Sequence, residues 1–228
     1  MMLRRTLRIR YSKIGPLRFV GHLDMTRILT RAIARSSIPA LYSQGFSPHM
    51  RISFTPPLSL GMSSACEYLD LQIDEAEAMN TPDEWRVELQ GYGPEGLTIQ
   101  EVRLLDENAP SLAESFDRAH YQITIPEEFA PTNGKLARFL QQTSMCIEKR
   151  SKHGVKTVDI RPGIELLKKL DTGTEKPKSS VYELIIIMGE SVPATPALVI
   201  KALFGCEWKE LHGCRIHRSE LYSSAGPV

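Results

Sequence analysis

Cysteine is scarce and scattered: four residues, at positions 66, 146, 206 and 214, with no Cys-x-x-Cys pair among them. That excludes a zinc ribbon and a thioredoxin-like redox centre. In a reducing compartment such thiols serve as small buried apolar groups. Cys206, His212, Cys214 and His217 cluster in sequence, but their spacing fits no zinc pattern, so neither a metal nor a cofactor is expected. No Gly-x-Ser-x-Gly elbow or His-Glu-x-x-His helix is present, and the glycines at 15, 21, 45 and 61 match neither a Walker A loop nor a dinucleotide fingerprint. No apolar run approaches the roughly 18 residues that a membrane-spanning helix needs. The opening residues, MMLRRTLRIR, are charged at every second or third position and lack the apolar core of a signal peptide. The expectation is a cytoplasmic protein with no membrane partner.

What is present is a lopsided charge. Residues 1–55 hold ten Lys/Arg against one acid, Asp24, whereas residues 56–120 hold three Arg against fourteen Asp/Glu. The net charge of +1 hides this division. A dipole of this kind favours oriented contact with an anionic partner, nucleic acid above all. The competing reading is that the two segments neutralise each other across a sheet.

Hydrophobic periodicity gives the organisation. Residues 3–12 alternate as a strand. Residues 22–36 carry Met25, Ile28, Leu29, Ala32 and Ile33 at helical spacing, with Arg27, Arg31 and Arg35 on another face; Asp24 lies in the first turn, where the helix dipole favours an anion. Ile38–Tyr42 and Arg51–Thr55 read as short strands and Glu67–Ile73 as a longer one. Thr81-Pro82-Asp83-Glu84 opens a helix with a Thr cap and Pro in its first turn, and Leu97–Leu105 is a further strand. The order β-α-β-β-α-β is that of a ferredoxin-like unit. A looser second copy follows: strands at His120–Pro126, Ser144–Lys149 and Val155–Ile160 around a Lys152-His153-Gly154 turn, helices at Asn133–Gln142 and Thr195–Leu203, a polar mobile loop over Leu170–Ser180, and strands at Val181–Met188 and Cys206–Tyr222, the last kinked at Gly213. The predicted fold is α+β, two tandem ferredoxin-like (βαββαβ) units with antiparallel sheets. Residues 1–106 form an N-terminal domain with the basic block, and 107–228 a C-terminal domain.

The basic block carries the chemistry. Arg8 and Arg10 share a strand face, Arg18 follows the Gly15-Pro16 turn, and Arg27, Arg31 and Arg35 project from the helix, with Tyr11, Phe19, Tyr42, Phe46 and Phe54 interleaved. Guanidinium groups pair bidentately with phosphates, and aromatic rings stack on unpaired bases. His22 and His49 titrate near neutrality and are candidates for general acid–base work; the bland alternative makes one a helix-start residue and the other a loop residue. Asp159 and Arg161, in the run Val158-Asp-Ile-Arg-Pro-Gly163, read as a surface pair before a turn or as a ligand grip.

Tyr11-Ser12-Lys13, Leu17-Arg18-Phe19, Gly21-His22-Leu23-Asp24, Arg27, Tyr42-Ser-Gln-Gly-Phe-Ser-Pro-His49, Pro57-Leu58, Leu60-Gly61 and Glu67-Tyr68-Leu69-Asp70 together closely resemble the radical-SAM-linked protein family, a domain of unknown function designated DUF2344. Residues 158–162 resemble a second family motif. Members are similar to domains fused to, or encoded beside, a radical S-adenosylmethionine protein, and tend to lie near genes for ribosome and RNA metabolism. The resemblance assigns no catalytic residues. This chain has no Cys-x3-Cys-x2-Cys triplet and so cannot itself hold such an enzyme's cluster, which implies an accessory role beside a separate chain.

The combined expectation is a non-catalytic substrate-recognition partner of a radical S-adenosylmethionine enzyme, binding tRNA or another structured RNA. Arg8, Arg10, Arg18, Arg27, Arg31 and Arg35 would contact phosphate, Tyr42 and Phe46 would stack on a splayed base, and His22, Asp24, Ser43 and His49 would line one pocket. Two rivals stand beside it: a metal-independent endoribonuclease using His22 or His49, by fold analogy with repeat-RNA-processing enzymes, and a protein-interaction module docking the radical enzyme through its acidic stretch.

Overall fold

A computed structural model describes residues 3–151, 154–171, 173, 178–189 and 192–225. The chain is of mixed α+β class and divides into two compact units, Met1–Ser115 and Phe116–Val228.

The first unit runs β1 (Arg4–Lys13), α1 (His22–Arg35), β2 (Ile52–Phe54), β3 (Ser63–Asp74), α2 (Pro82–Tyr92), β4 (Leu97–Leu104) and a single turn, α3 (Leu112–Ser115). β1 pairs antiparallel with β3 on one edge and β4 on the other. Leu71 of β3 faces both Leu7 of β1 and Ile52 of β2, so β2 lies on the far edge of β3. Strand alternation sends Leu7, Ile9 and Tyr11 to one face, where they bury against Met25, Leu29 and Ile33 of α1 and Trp85 and Leu89 of α2. The start of α2 is the predicted cap in full: Thr81 Oγ1 accepts the Glu84 N–H, and the Glu84 carboxylate accepts the Thr81 N–H at 2.7 Å. Gly96 adopts φ +89°, and an added Cβ would stand 2.4 Å from the Ile14 carbonyl oxygen, so this turn requires glycine on two counts.

The strand expected at Ile38–Tyr42 is reduced to isolated bridges, Ala40 with Ile73 and Tyr42 with Met50. Pro39 has no N–H to give the ladder, and the segment instead attaches to β3 through single bonds such as Leu41 N–H to Gln72 O at 2.8 Å.

The second unit runs β5 (Arg118–Pro126), α4 (Asn133–Gln141), β6 (Cys146–Ser151), β7 (Gly154–Asp159), β8 (Ile164–Leu170), β9 (Ser179–Ile187), α5 (Pro196–Phe204) and β10 (Arg215–Tyr222). Within the unit β5 pairs with β10 and β9, and β9 with β8, each pair antiparallel. The sequence pattern led to β6 and β7 as members of this sheet and passed over β8. In the fold β6 and β7 pair with each other as a separate two-stranded sheet, and β8 takes the edge position beside β9. Glu165, Lys168 and Lys169 break the apolar alternation of β8, as charges on an edge strand do. Residues 152 and 153 of the predicted turn, and 172 and 174–177 of the predicted loop, lie outside the described residues. The strand expected from Cys206 begins at Arg215; before it comes a 3₁₀ turn at Trp208–Glu210, and Gly213, at φ +85°, turns the chain ahead of the strand rather than kinking it.

The Asp159/Arg161 motif fastens the β6–β7 hairpin. Asp159 Oδ1 accepts the N–H of Met145 at 2.7 Å and of Arg161 at 3.0 Å, while the Arg161 guanidinium donates to the carbonyls of Gln142 and Ile164. Each of these bonds ends on backbone, so the motif is a clasp. The Met145 and Arg161 N–H groups hold the Asp159 carboxyl below its ordinary range. Its stabilisation is therefore present above the unfolded carboxyl value, near 3.9, and is lost as pH falls through the lower folded value. Asp159→Ala should lower the thermal midpoint at neutral pH, whereas Asp159→Asn, which keeps Oδ1, should lower it less; calorimetry at pH 7 and pH 3 separates the two variants.

Candidate nucleic-acid interface

α1 forms because residues 25, 29, 32 and 33 give it an apolar stripe that docks on β1 and β3. The opposite face then has to be exposed, and it carries Leu23, Arg27, Arg31 and Arg35 in a row of i, i+4 steps, about 6 Å apart along the axis. All four side chains are exposed. Arg27 pairs with Asp24 at 2.8 Å, with both groups more than three-fifths exposed, an ion pair of small worth. Arg31 and Arg35 have no ion-pair or hydrogen-bond partner among the described residues. Just before the helix, a 3₁₀ turn at Gly15–Phe19 holds the Arg18 guanidinium 4.6 Å from the centroid of the Phe19 ring.

The other predicted residues lie elsewhere. Arg8 is turned to the opposite face of the sheet and is 2% exposed. Its Nε and Nη2 meet the two carboxylate oxygens of Asp70 at 2.7 and 2.8 Å, and it donates further to Ser115 Oγ and the Pro110 carbonyl. The role given to Arg8 at the phosphate interface is therefore corrected: a carboxylate delivered by β3 has already taken its fork. Arg10, two residues on, lies over the Tyr68 ring at 5.8 Å, half-buried.

His22 and the Ser43–His49 pair do not share a pocket. His22 sits in the first turn of α1, edge-on to Phe54 with ring centroids 5.4 Å apart. It lines a cavity of about 20 Å³ with Tyr11, Lys13, Met25 and Glu67, room for roughly one water. Lys13 is buried there and donates to the Val20 carbonyl at 2.8 Å. Burial pushes its ammonium pKa down, and Glu67 opposes the shift. Ser43 Oγ lies 2.8 Å from His49 Nδ1 and accepts the His49 backbone N–H at 3.1 Å. These bonds close a loop whose tip, Phe46, is fully exposed, with Tyr42 exposed at its base.

Ser43 and His49 border a cleft of about 650 Å³ on the side of the sheet away from α1, where Thr6, Asp70 and Gln72 point. Its other walls include Asp106, Glu107 and Glu114, and its guanidinium, Arg51, donates to Gln72. The expectation of one pocket flanked by arginines gives way to two surfaces: a basic ridge on α1 and a carboxylate-lined cleft behind the sheet. Lys13 and Glu67 stand in the sequence motifs without a site role and the Asp106–Glu107 pair carries no local signal, because their positions depend on strand pairing. Sequence reasoning noted Phe19 without placing it in a site, although an aromatic between Arg18 and a helix-opening glycine was a readable signal. No group of three or more His, Cys, Asp or Glu that could hold a metal ion is found among the described residues, and among them no helix is long and apolar enough to cross a membrane.

Fold and site thus define a class: a mixed α+β protein of two units built on antiparallel strand pairs, the first unit faced by an arginine-ridged helix. The chain belongs to the family described as an uncharacterized protein conserved in bacteria (DUF2344), which it matches over residues 6–194. No curated protein matches it. A crystal structure described as an unknown protein from Galdieria sulphuraria is similar at 10% identity, covering 96% of this chain and 98% of that one, with a TM-score of 0.27.

Proposed function

We propose that this protein is a substrate-recognition component that binds structured RNA through the outer face of α1, and that it serves a separate radical S-adenosylmethionine enzyme. The observation that carries the RNA reading is the ridge Arg27, Arg31 and Arg35, three exposed arginines in one row on a helix whose single acid is Asp24. Arg18 extends the positive surface past the helix start. Consecutive cations at a spacing of about 6 Å suit consecutive phosphates of one strand, a contact that positions RNA without reading its sequence. The enzyme partnership rests on the sequence resemblance. The β-α-β-β-α-β order of both units, with the β6–β7 hairpin inserted in the second, supports reading each as ferredoxin-like.

Affinity for tRNA should fall steeply with salt. Four phosphate contacts give a log–log slope of roughly −3 to −4, or about a hundredfold between 50 and 200 mM. Filter binding across that range tests it, and a flat profile refutes it. Capture of the radical enzyme by RNA-free protein would instead favour the docking-module reading.

A further inference from the structure

Phe19, at the end of the 3₁₀ turn, is 61% exposed, and Leu23, in the first turn of α1, is 72% exposed. Ile14, just before the 3₁₀ turn, and Leu60 are also open to solvent, and the Gly61 N–H donates to Arg18 O at 2.7 Å. An exposed ring costs hydration free energy, and this one is not left to solvent alone: the Arg18 guanidinium lies against it at 4.6 Å. Exposed apolar groups thus gather at and just before the start of α1, and the cationic row Arg27, Arg31 and Arg35 follows along the helix.

Resting on the RNA reading above, we infer that the ligand is an RNA with an unpaired nucleotide next to a duplex, and that Phe19 is the platform on which that base stacks. A base offers a π-face to the ring and an adjacent phosphate to Arg18, so one nucleotide engages both halves of the pair. The duplex backbone beyond it then follows the arginine row. Charge separates this platform from the other exposed aromatics. Phe46 is carried by the loop that borders the carboxylate-lined cleft, where an approaching phosphate meets Asp106 and Glu107. Phe19 has a cation against its ring. The same charge pattern sets RNA above a lipid surface: the apolar residues sit at one end of the cationic row, whereas an interfacial helix spreads its apolar groups along the whole buried face.

The test compares a blunt RNA hairpin with the same hairpin carrying a short single-stranded overhang, by fluorescence anisotropy at fixed salt, for the full chain and for Phe19→Ala, Phe19→Trp and Phe46→Ala. Expected is a preference for the overhang of about tenfold or more in the unmodified protein, abolished in Phe19→Ala with the salt slope intact, and kept in Phe19→Trp and Phe46→Ala. Circular dichroism should be unchanged, because Phe19 is exposed. Equal affinity for both hairpins, or an equal loss in Phe19→Ala and Phe46→Ala, overturns the inference while a steep salt slope leaves the RNA reading standing. Absence of salt-dependent binding to either hairpin overturns both. Phe19-dependent binding to anionic phosphatidylserine vesicles, with no preference between the hairpins, assigns the patch to a membrane and overturns the inference.

Discussion

Arg8→Ala should destabilise the protein by about 3–5 kcal/mol, because it leaves the Asp70 carboxylate buried without its counter-ion. The burial decides the size. An exposed pair of the Asp24–Arg27 kind contributes under about 1 kcal/mol, whereas Arg8 is shielded from water and bonded through Nε and Nη2 to both carboxylate oxygens of Asp70. Arg8 also donates to Ser115 Oγ at 2.8 Å and to the Pro110 carbonyl at 2.9 Å, so the variant frees the segment after β4 as well. Urea unfolding should show a lower midpoint, with a deficit that changes little with salt, since buried pairs are poorly screened. The double variant Arg8→Met/Asp70→Leu removes both charges and should recover most of the loss. A deficit in Arg8→Ala below about 1 kcal/mol would show that the pair behaves as a surface one.

The second large effect is on binding. Arg27→Ala, Arg31→Ala and Arg35→Ala combined should weaken RNA affinity on the order of 10²–10³-fold near 100 mM salt and reduce the magnitude of the salt slope by about 3. Stability should hardly move, because Arg31 and Arg35 bond to nothing among the described residues and the Asp24–Arg27 pair is exposed. Lys149, Lys156 and Lys178, exposed in the second unit, supply the matched control: their triple Ala variant removes the same charge and should leave the slope close to that of the unmodified protein. If both triples weaken binding equally, attraction is a matter of overall charge and the ridge has no special place.

These two predictions mark what was legible in the sequence. The apolar periods of 22–36 and 67–73 lead directly to α1 and β3, and the Thr81–Glu84 cap announces α2, because such signals are local. The alternation of β1 correctly puts Arg8 and Arg10 on one face, but nothing local says that this face receives Asp70, 62 residues along. The same gap hides the fate of the Gly-His-Leu-Asp and Ser-x-Gly-Phe-x-Pro-His segments. Their sequence positions, at a helix start and in a loop before β2, are as expected. Their convergence depended on which side of the sheet each one faces. α1 packs on the side of Leu7, Ile9 and Tyr11, and the cleft beside Ser43 and His49 opens on the side of Thr6 and Asp70. In the second unit the charges of β8 disguised a sheet member, while the cleaner pattern of β6 and β7 belonged to a hairpin outside the main sheet.

That hairpin has a thermodynamic consequence. A two-stranded ribbon is marginal in water, and among the described residues β6 and β7 pair with no other strand. Its base is tied by the bonds that Asp159 and Arg161 make to backbone and by the Ile160 N–H to Met145 O bond, beside buried Met145 and Ile160. The ribbon therefore opens at a free energy set by this base, well below that of the paired strands β5, β8, β9 and β10. Its amides will exchange with solvent, and its chain will meet proteases, while the rest of the unit stays folded.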